Sequence, residues 1–178
     1  MRVIGGEFRS RVLKSLPGLD VRPTPDRLRE ALFNILAPRI AGKIFVDASA
    51  GTGAVGIEAL SRGAARAIFI EQNHAAVKVI HENLRSLGLT GRAQVRSGRA
   101  AKLIEGLQAD IVFFDPPYHL EDEYAATLTA LGDIPPALVI AQHSIRFDPG
   151  DTAGSLHRTR LLKQGDNSLS FYSPTALP

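Results

Sequence analysis

The run Ile44-Phe45-Val46-Asp47-Ala48-Ser49-Ala50-Gly51-Thr52-Gly53-Ala54-Val55-Gly56 decides the fold. Ile44 to Asp47 reads as a short apolar strand that ends in an acid. Glycines at 51 and 53 let the backbone curl tightly and approach a ligand with no Cβ in the way. Ala54 to Arg62 then reads as a helix. A strand that meets a helix through a glycine turn is the opening unit of an open α/β sheet, and such sheets bind ligands beyond the carboxyl ends of their strands.

The alternation continues downstream. Ala67 to Glu71 is the next strand. His74 to Leu87 is a helix with Val77, Ile80, Leu84 and Leu87 on one face and Gly88 as its stop. Ala93 to Arg96 is a strand and Ala100 to Leu107 a helix. Asp110 to Asp115 is almost continuously apolar, as expected of a strand covered on both faces in a parallel sheet. Asp122 to Leu131 is a helix and Ala137 to Gln142 a strand. Leu156 to Leu162 and Ser168 to Tyr172, joined by Lys163-Gln164-Gly165-Asp166-Asn167, predict an antiparallel hairpin. The expected fold is α/β: a doubly wound, Rossmann-like, mostly parallel sheet finished by a C-terminal antiparallel pair.

Upstream of the decisive run, residues 2–14 read as a small β-hairpin around Gly5-Gly6. Thr24 suits a helix N-cap with Pro25 at the first helical position. Leu28, Leu32, Ile35 and Leu36 follow at helical spacing, and Pro38 ends the element. Two units are expected: a basic N-terminal hairpin arm over 1–21 and the α/β domain over 22–178.

The chain has 178 residues, 44% hydrophobic and 22% charged, which suits one domain with a real core. No apolar run approaches the roughly 20 residues of a membrane span. The opening Met1-Arg2-Val3-Ile4-Gly5-Gly6 turns polar too quickly for a secretory signal, so a cytoplasmic location is expected. The absence of cysteine excludes disulfides, thiolate zinc sites, iron–sulfur clusters and cysteine nucleophiles. His74, His81, His119, His143 and His157 lack short ligand spacing, and no metal is expected. Residues 1–43 carry a net charge of +5 against −2 for the remainder. That asymmetry suggests an arm for a polyanion, with a solvated surface as the plain alternative.

Three strand ends carry the chemistry: the glycine turn after Asp47, then Glu71, then Asp115-Pro116-Pro117-Tyr118. Gly51-x-Gly53-x-x-Gly56, with Glu71 downstream, formally matches the dinucleotide fingerprint, so an NAD-type oxidoreductase must be weighed. Against it, Asp47 and three small residues separate the strand from the first glycine, and hydride transfer has no need of Asp-Pro-Pro-Tyr. S-adenosylmethionine also needs a glycine turn and a ribose-binding carboxylate. It carries a cationic amino group and a sulfonium, which carboxylates at Asp47 and Asp115 suit. Glu71 can accept both ribose hydroxyls, each charge-assisted bond contributing about 1.5–3 kcal/mol. The purely structural alternative makes Asp47 and Glu71 helix caps or surface acids.

Asp115-Pro116-Pro117-Tyr118 is the most specific piece. Its prolines hold the backbone rigid and leave carbonyls without the usual local partners. The Asp115 carboxylate and the Pro116 carbonyl can accept both hydrogens of one exocyclic NH₂, while Tyr118 stacks on the base for about 1–3 kcal/mol. Gripping both N–H bonds favours pyramidalisation and aims the nitrogen lone pair at a methyl group. In-line positioning of this kind contributes about 7–11 kcal/mol. Without cysteine, C5 methylation of pyrimidines and radical methylation are closed to this chain, whereas direct displacement at nitrogen needs no covalent intermediate.

With its glycine turn before Asp-Pro-Pro-Tyr, the sequence resembles the class I methyltransferases of exocyclic amines. More narrowly it resembles the RsmD family of 16S ribosomal RNA guanine-N2 methyltransferases. The similarity rests on Arg2 to Gly6, Arg22 to Asn34, Ala50 to Ala64 and Phe113 to Tyr118, and loosely on Lys163 to Tyr172. It implies methyl transfer from S-adenosylmethionine to N2 of a guanine in 16S rRNA, within a small-subunit ribonucleoprotein particle; a monomer with neither metal nor membrane is expected alongside. Asp115, Pro116, Pro117 and Tyr118 are the expected catalytic group. Asp47, Ser49, Ala50, Gly51, Gly53, Glu71, Gln72, Arg99, Ala100 and Asp115 are expected around the cofactor. Arg2, Arg9, Arg11, Lys14, Arg22 and Arg27 are expected on RNA. Two positions depart from the pattern: Ser49 stands where Phe is common, and Arg99 where an Asp or Asn meets adenine. An adenine-N6 methyltransferase and a non-catalytic RNA-binding assembly module are the competing readings.

Overall fold

The computed structural model describes residues 1–17 and 24–174. Arg22, one of the expected RNA contacts, lies outside the described residues. The helices are α1 (Asp26–Leu36), α2 (Ala54–Ser61), α3 (His74–Ser86), α4 (Ala100–Leu103) and α5 (Glu121–Asp133). The strands are β1 (Ile44–Ala48), β2 (Arg66–Glu71), β3 (Ala93–Ser97), β4 (Ile111–Phe114), β5 (Leu138–Ser144), β6 (Thr152–Ala153), β7 (Leu156–Gln164) and β8 (Asn167–Ser173). They form one sheet in the order β3-β2-β1-β4-β5-β8-β7-β6. β1 to β5 are parallel, while β8, β7 and β6 are antiparallel.

The strand order reverses between β1 and β4, where the connections leave in opposite directions and open a crevice at the carboxyl ends. Alternating side chains serve two helical layers. Phe45, Phe113 and Ile140 meet Leu28, Leu32, Phe33 and Leu36 of α1 together with Val55 and Ala59 of α2. On the other face Val46, Val112, Phe114 and Val139 meet Tyr124, Leu128 and Leu131 of α5. Phe69 packs with Ile57, Leu60, Ile80 and Leu84 of α2 and α3. Each such fully buried side chain stabilises the domain by about 1.5–3 kcal/mol.

Several local expectations change. Pro25, not Thr24, is the N-cap of α1; its ψ of 140° is non-helical and no side chain caps the end. The helix begins at Asp26. The helix expected over Ala100 to Leu107 stops at Leu103. Residues around Gly106, with φ +71°, turn the chain back to β4 instead. Val77 is only half-buried, and the packed face of α3 is Ala76, Val79, Ile80, Asn83 and Leu84.

The N-terminal hairpin exists as a single antiparallel bridge between Arg2 and Val12, flanked by the Val3 N–H to Arg11 carbonyl bond at 3.0 Å. Val3 and Leu13 are buried in the same cluster as α2 and α3. The fully buried Glu58 carboxylate accepts the N–H groups of Ile4 and Gly5, both at 2.8 Å, and Nε of Arg62 at 2.8 Å. Ser61 Oγ accepts from the Phe8 N–H at 2.9 Å and donates to the Gly5 carbonyl at 2.6 Å. Buried carboxylate bonds of this kind fix a segment firmly. The segment is docked against α2, rather than extended as a free arm.

Candidate active site

The site is built from three neighbouring strand ends. At the end of β1 the chain turns through Ser49, Ala50 and Gly51, and the Ser49 and Ala50 N–H groups both reach the Ile70 carbonyl at 2.9 Å. Gly51 and Gly53 have φ of +56° and +83°, which only glycine adopts at no cost. Ser49 sits at φ +92° without that freedom. A non-glycine residue held there costs of order 1–3 kcal/mol, and such strain is typical of ligand-binding turns.

Asp47 is 1% exposed, and its Oδ2 accepts the Gly56 N–H at 2.8 Å in the first turn of α2. The helix-capping role is therefore real. Burial, opposed by that hydrogen bond and reinforced by nearby Glu71, pushes its carboxyl up from 3.8 to about 7. Glu71, at the end of β2, accepts the Gly51 N–H with one oxygen and the Asn73 N–H with the other, both at 2.8 Å. Its carboxylate is thereby fixed at the lip of the turn, with lone pairs left for further donors. Gln72 beside it is exposed.

Asp115 follows β4. Burial, and after it the negative charge of Asp47, pushes its carboxyl well above the ordinary range. β1 lies between β2 and β4, so Asp47, Glu71 and Asp115 stand at three adjacent strand ends around one crevice. Tyr118 donates its hydroxyl to Asn167 Oδ1 at the start of β8. The prolines do not leave both carbonyls unpartnered, as had been expected. The Pro117 carbonyl accepts the Leu120 N–H at 2.8 Å, and the Pro116 carbonyl lies 3.3 Å from the Tyr124 hydroxyl. That hydroxyl bonds the Gln142 carbonyl better, at 2.8 Å, so Pro116 retains accepting capacity.

The Arg99 guanidinium pairs with Glu123 on α5. Ala100, which starts α4, is half-buried beside it. Of the expected RNA contacts, Arg9, Arg11 and Arg27 are exposed. Arg2 also bonds the Ser10 carbonyl at 3.2 Å, and Lys14 is paired with Glu82 at 2.8 Å. Among the described residues no His, Asp and Glu cluster fit to hold a metal occurs. A surface groove of about 400 Å³ between Arg39, Leu138, Arg160 and Phe171 shares no residue with this crevice.

Sequence reading missed Asn83. Buried at 1%, it accepts the Lys14 N–H at 2.8 Å and donates to the Thr52 carbonyl at 3.0 Å, tying the N-terminal segment to the glycine turn. A polar residue interrupting the apolar face between Ile80 and Leu84 was the available signal. Asn167 and Tyr124 gave none, because their partners are remote in sequence.

The sheet order, the glycine turn and the acids at its switch point define a Rossmann-like methyltransferase. The chain belongs to the family described as conserved hypothetical protein 95, the RsmD family, whose model matches residues 1–173. It is 34% identical to YlbH of Bacillus subtilis, a candidate rRNA methyltransferase, over 97% of this chain and 98% of that protein. It is 43% identical to ribosomal RNA small subunit methyltransferase D of Escherichia coli over 66% of this chain, an alignment spanning 60% of that protein's length. Among solved structures, the candidate methyltransferase yhhF of Escherichia coli superposes with a TM-score of 0.82 at 36% identity, covering 97% of each chain.

Proposed function

We propose that this protein transfers a methyl group from S-adenosylmethionine to the exocyclic N2 of a guanine in small-subunit ribosomal RNA. The observation that carries the reading is the convergence of Asp47, Glu71 and Asp115 on one crevice, with the first and last held at raised proton affinity. A neighbouring cation would stabilise their ionised forms, so these carboxyls suit the amino group and sulfonium of the cofactor. Asp47 faces the cationic end, the Ser49–Gly53 turn cradles the methionine part, and Glu71 accepts the ribose hydroxyls. Gln72 and the backbone at Ala100 flank the adenine, in place of the Arg99 side chain.

When bound, the cofactor supplies an electrophilic methyl on sulfur. Asp115 and the Pro116 carbonyl accept the two N–H bonds of the amine and orient its lone pair, Pro117 stiffens the loop, and Tyr118 stacks on the base. The proton released after transfer has Asp115 as its nearest acceptor. Arg9, Arg11 and Arg27, with Arg2 and Lys14 less freely, contact phosphates. An RNA substrate agrees with the names of the relatives. No helix among the described residues is long and apolar enough to cross a membrane, and the reading places the protein in the cytoplasm with ribosomal precursors.

Mass spectrometry of nucleosides from small-subunit rRNA, incubated with the protein and S-adenosylmethionine, tests this directly. N2-methylguanosine is the expected product. N6-methyladenosine would favour the adenine reading, and no cofactor binding by calorimetry would favour a non-catalytic RNA-binding module. Asp115→Ala should lower turnover at least about 100-fold while leaving cofactor affinity largely intact.

A further inference from the structure

Asn167 opens β8, 6% exposed, in the antiparallel hairpin that packs beside β5 and so one strand removed from β4. The register pairs it with Ser144 of β5 on one side and Gln164 of β7 on the other. Its backbone is held in the sheet from both directions, so its side chain projects from a rigid element and not from a loop. That side-chain oxygen receives the Tyr118 hydroxyl across a separation of 49 residues. Gln142 and Gln164 each bury a side-chain oxygen with no donor among the described residues.

Tyr118 sits on the turn after β4, between the exposed Pro117 and His119. A bond at the far end of the ring restricts both of its side-chain torsions. We propose that Asn167 is a positioning residue of the methyl-transfer reaction. It acts through the Tyr118 hydroxyl to hold the aromatic ring in the attitude in which it stacks on the target base beside Asp115. The C-terminal hairpin is then a wall of the base site, not only an edge that completes the sheet. This rests on the reading of Asp115 to Tyr118 as the base-binding turn.

The test is a double-mutant cycle on the full chain with Asn167→Ala, Tyr118→Phe and the two combined, plus Asn167→Asp, which keeps an accepting oxygen. Steady-state methyl transfer to small-subunit rRNA is measured alongside cofactor affinity and thermal midpoint. Either single change should lower kcat/KM for RNA by about 3- to 10-fold, the worth of one hydrogen bond, with cofactor affinity changed less than about twofold. The double variant should fall no more than about twofold below the singles, and Asn167→Asp should recover most of the loss. Tyr118→Phe leaves the sheet untouched and keeps the cycle informative if Asn167→Ala lowers the thermal midpoint. Additive losses in the double variant, or an unchanged kcat/KM in Tyr118→Phe, would overturn the assignment. Asp115→Ala serves as the control. If it stays active, the base-binding reading fails; if it is inactive while the cycle is additive, only the role of Asn167 fails.

Discussion

Replacing Asp47 by Asn removes a charge from the most deeply buried acid of the crevice while keeping an oxygen for the Gly56 N–H. The native carboxyl is lifted from 3.8 to about 7, mainly by burial. That displacement corresponds to about 4 kcal/mol of preference for the neutral form. Between pH 4 and pH 7 the folded protein holds a proton that the unfolded chain has already released. The stability present below about pH 4 is therefore lost as pH rises through 7. The Asn variant has no such proton to lose. Urea unfolding of the cofactor-free protein should find the two equally stable near pH 4. At pH 8 the variant should be more stable, by up to about 4 kcal/mol. Cofactor binding should show the opposite preference. The wild type should bind more tightly as pH rises through about 7 and Asp47 ionises, while the variant should bind at least about tenfold more weakly at pH 8. A stability difference that stays constant from pH 4 to pH 8, or a variant that is less stable at pH 8, would refute the reasoning.

Glu71→Gln keeps the shape of the side chain but forfeits charge-assisted bonds to the Gly51 N–H and the ribose, and calorimetry should find cofactor affinity reduced about 10- to 100-fold. Glu58→Ala strands the Ile4 and Gly5 N–H groups and Arg62, so unfolding should cost about 3–5 kcal/mol less and amide exchange in residues 1–14 should accelerate. A loss under about 1 kcal/mol would mean that the N-terminal segment is not docked as described. Arg9→Glu with Arg11→Glu should weaken RNA binding and flatten its dependence on salt by about two counterions; an unchanged slope would leave both as ordinary surface charge.

Much of this architecture is written in local pattern. The apolar runs at Phe45, Phe69 and Val112, the glycines at 51 and 53, and the stops at Gly88 and Pro38 are short-range signals, because helix and strand periodicity and turn chemistry act over a few residues. The same holds for the site chemistry: the acids Asp47 and Glu71 at two strand ends and Asp-Pro-Pro-Tyr after a buried third strand are legible in one dimension, since a parallel sheet brings strand ends together. What the sequence left open depended on contacts between distant segments. The seat of the basic N-terminal stretch was decided by Glu58 and Ser61, which became its acceptors only once α2 packed beside it. Arg99 has Glu123 as its partner because α5 packs against α4. Tyr118 found its hydroxyl partner in Asn167 because the antiparallel hairpin closes against β5. Hydrogen-bond partners and desolvation follow from which surfaces meet, and only the folded chain sets that.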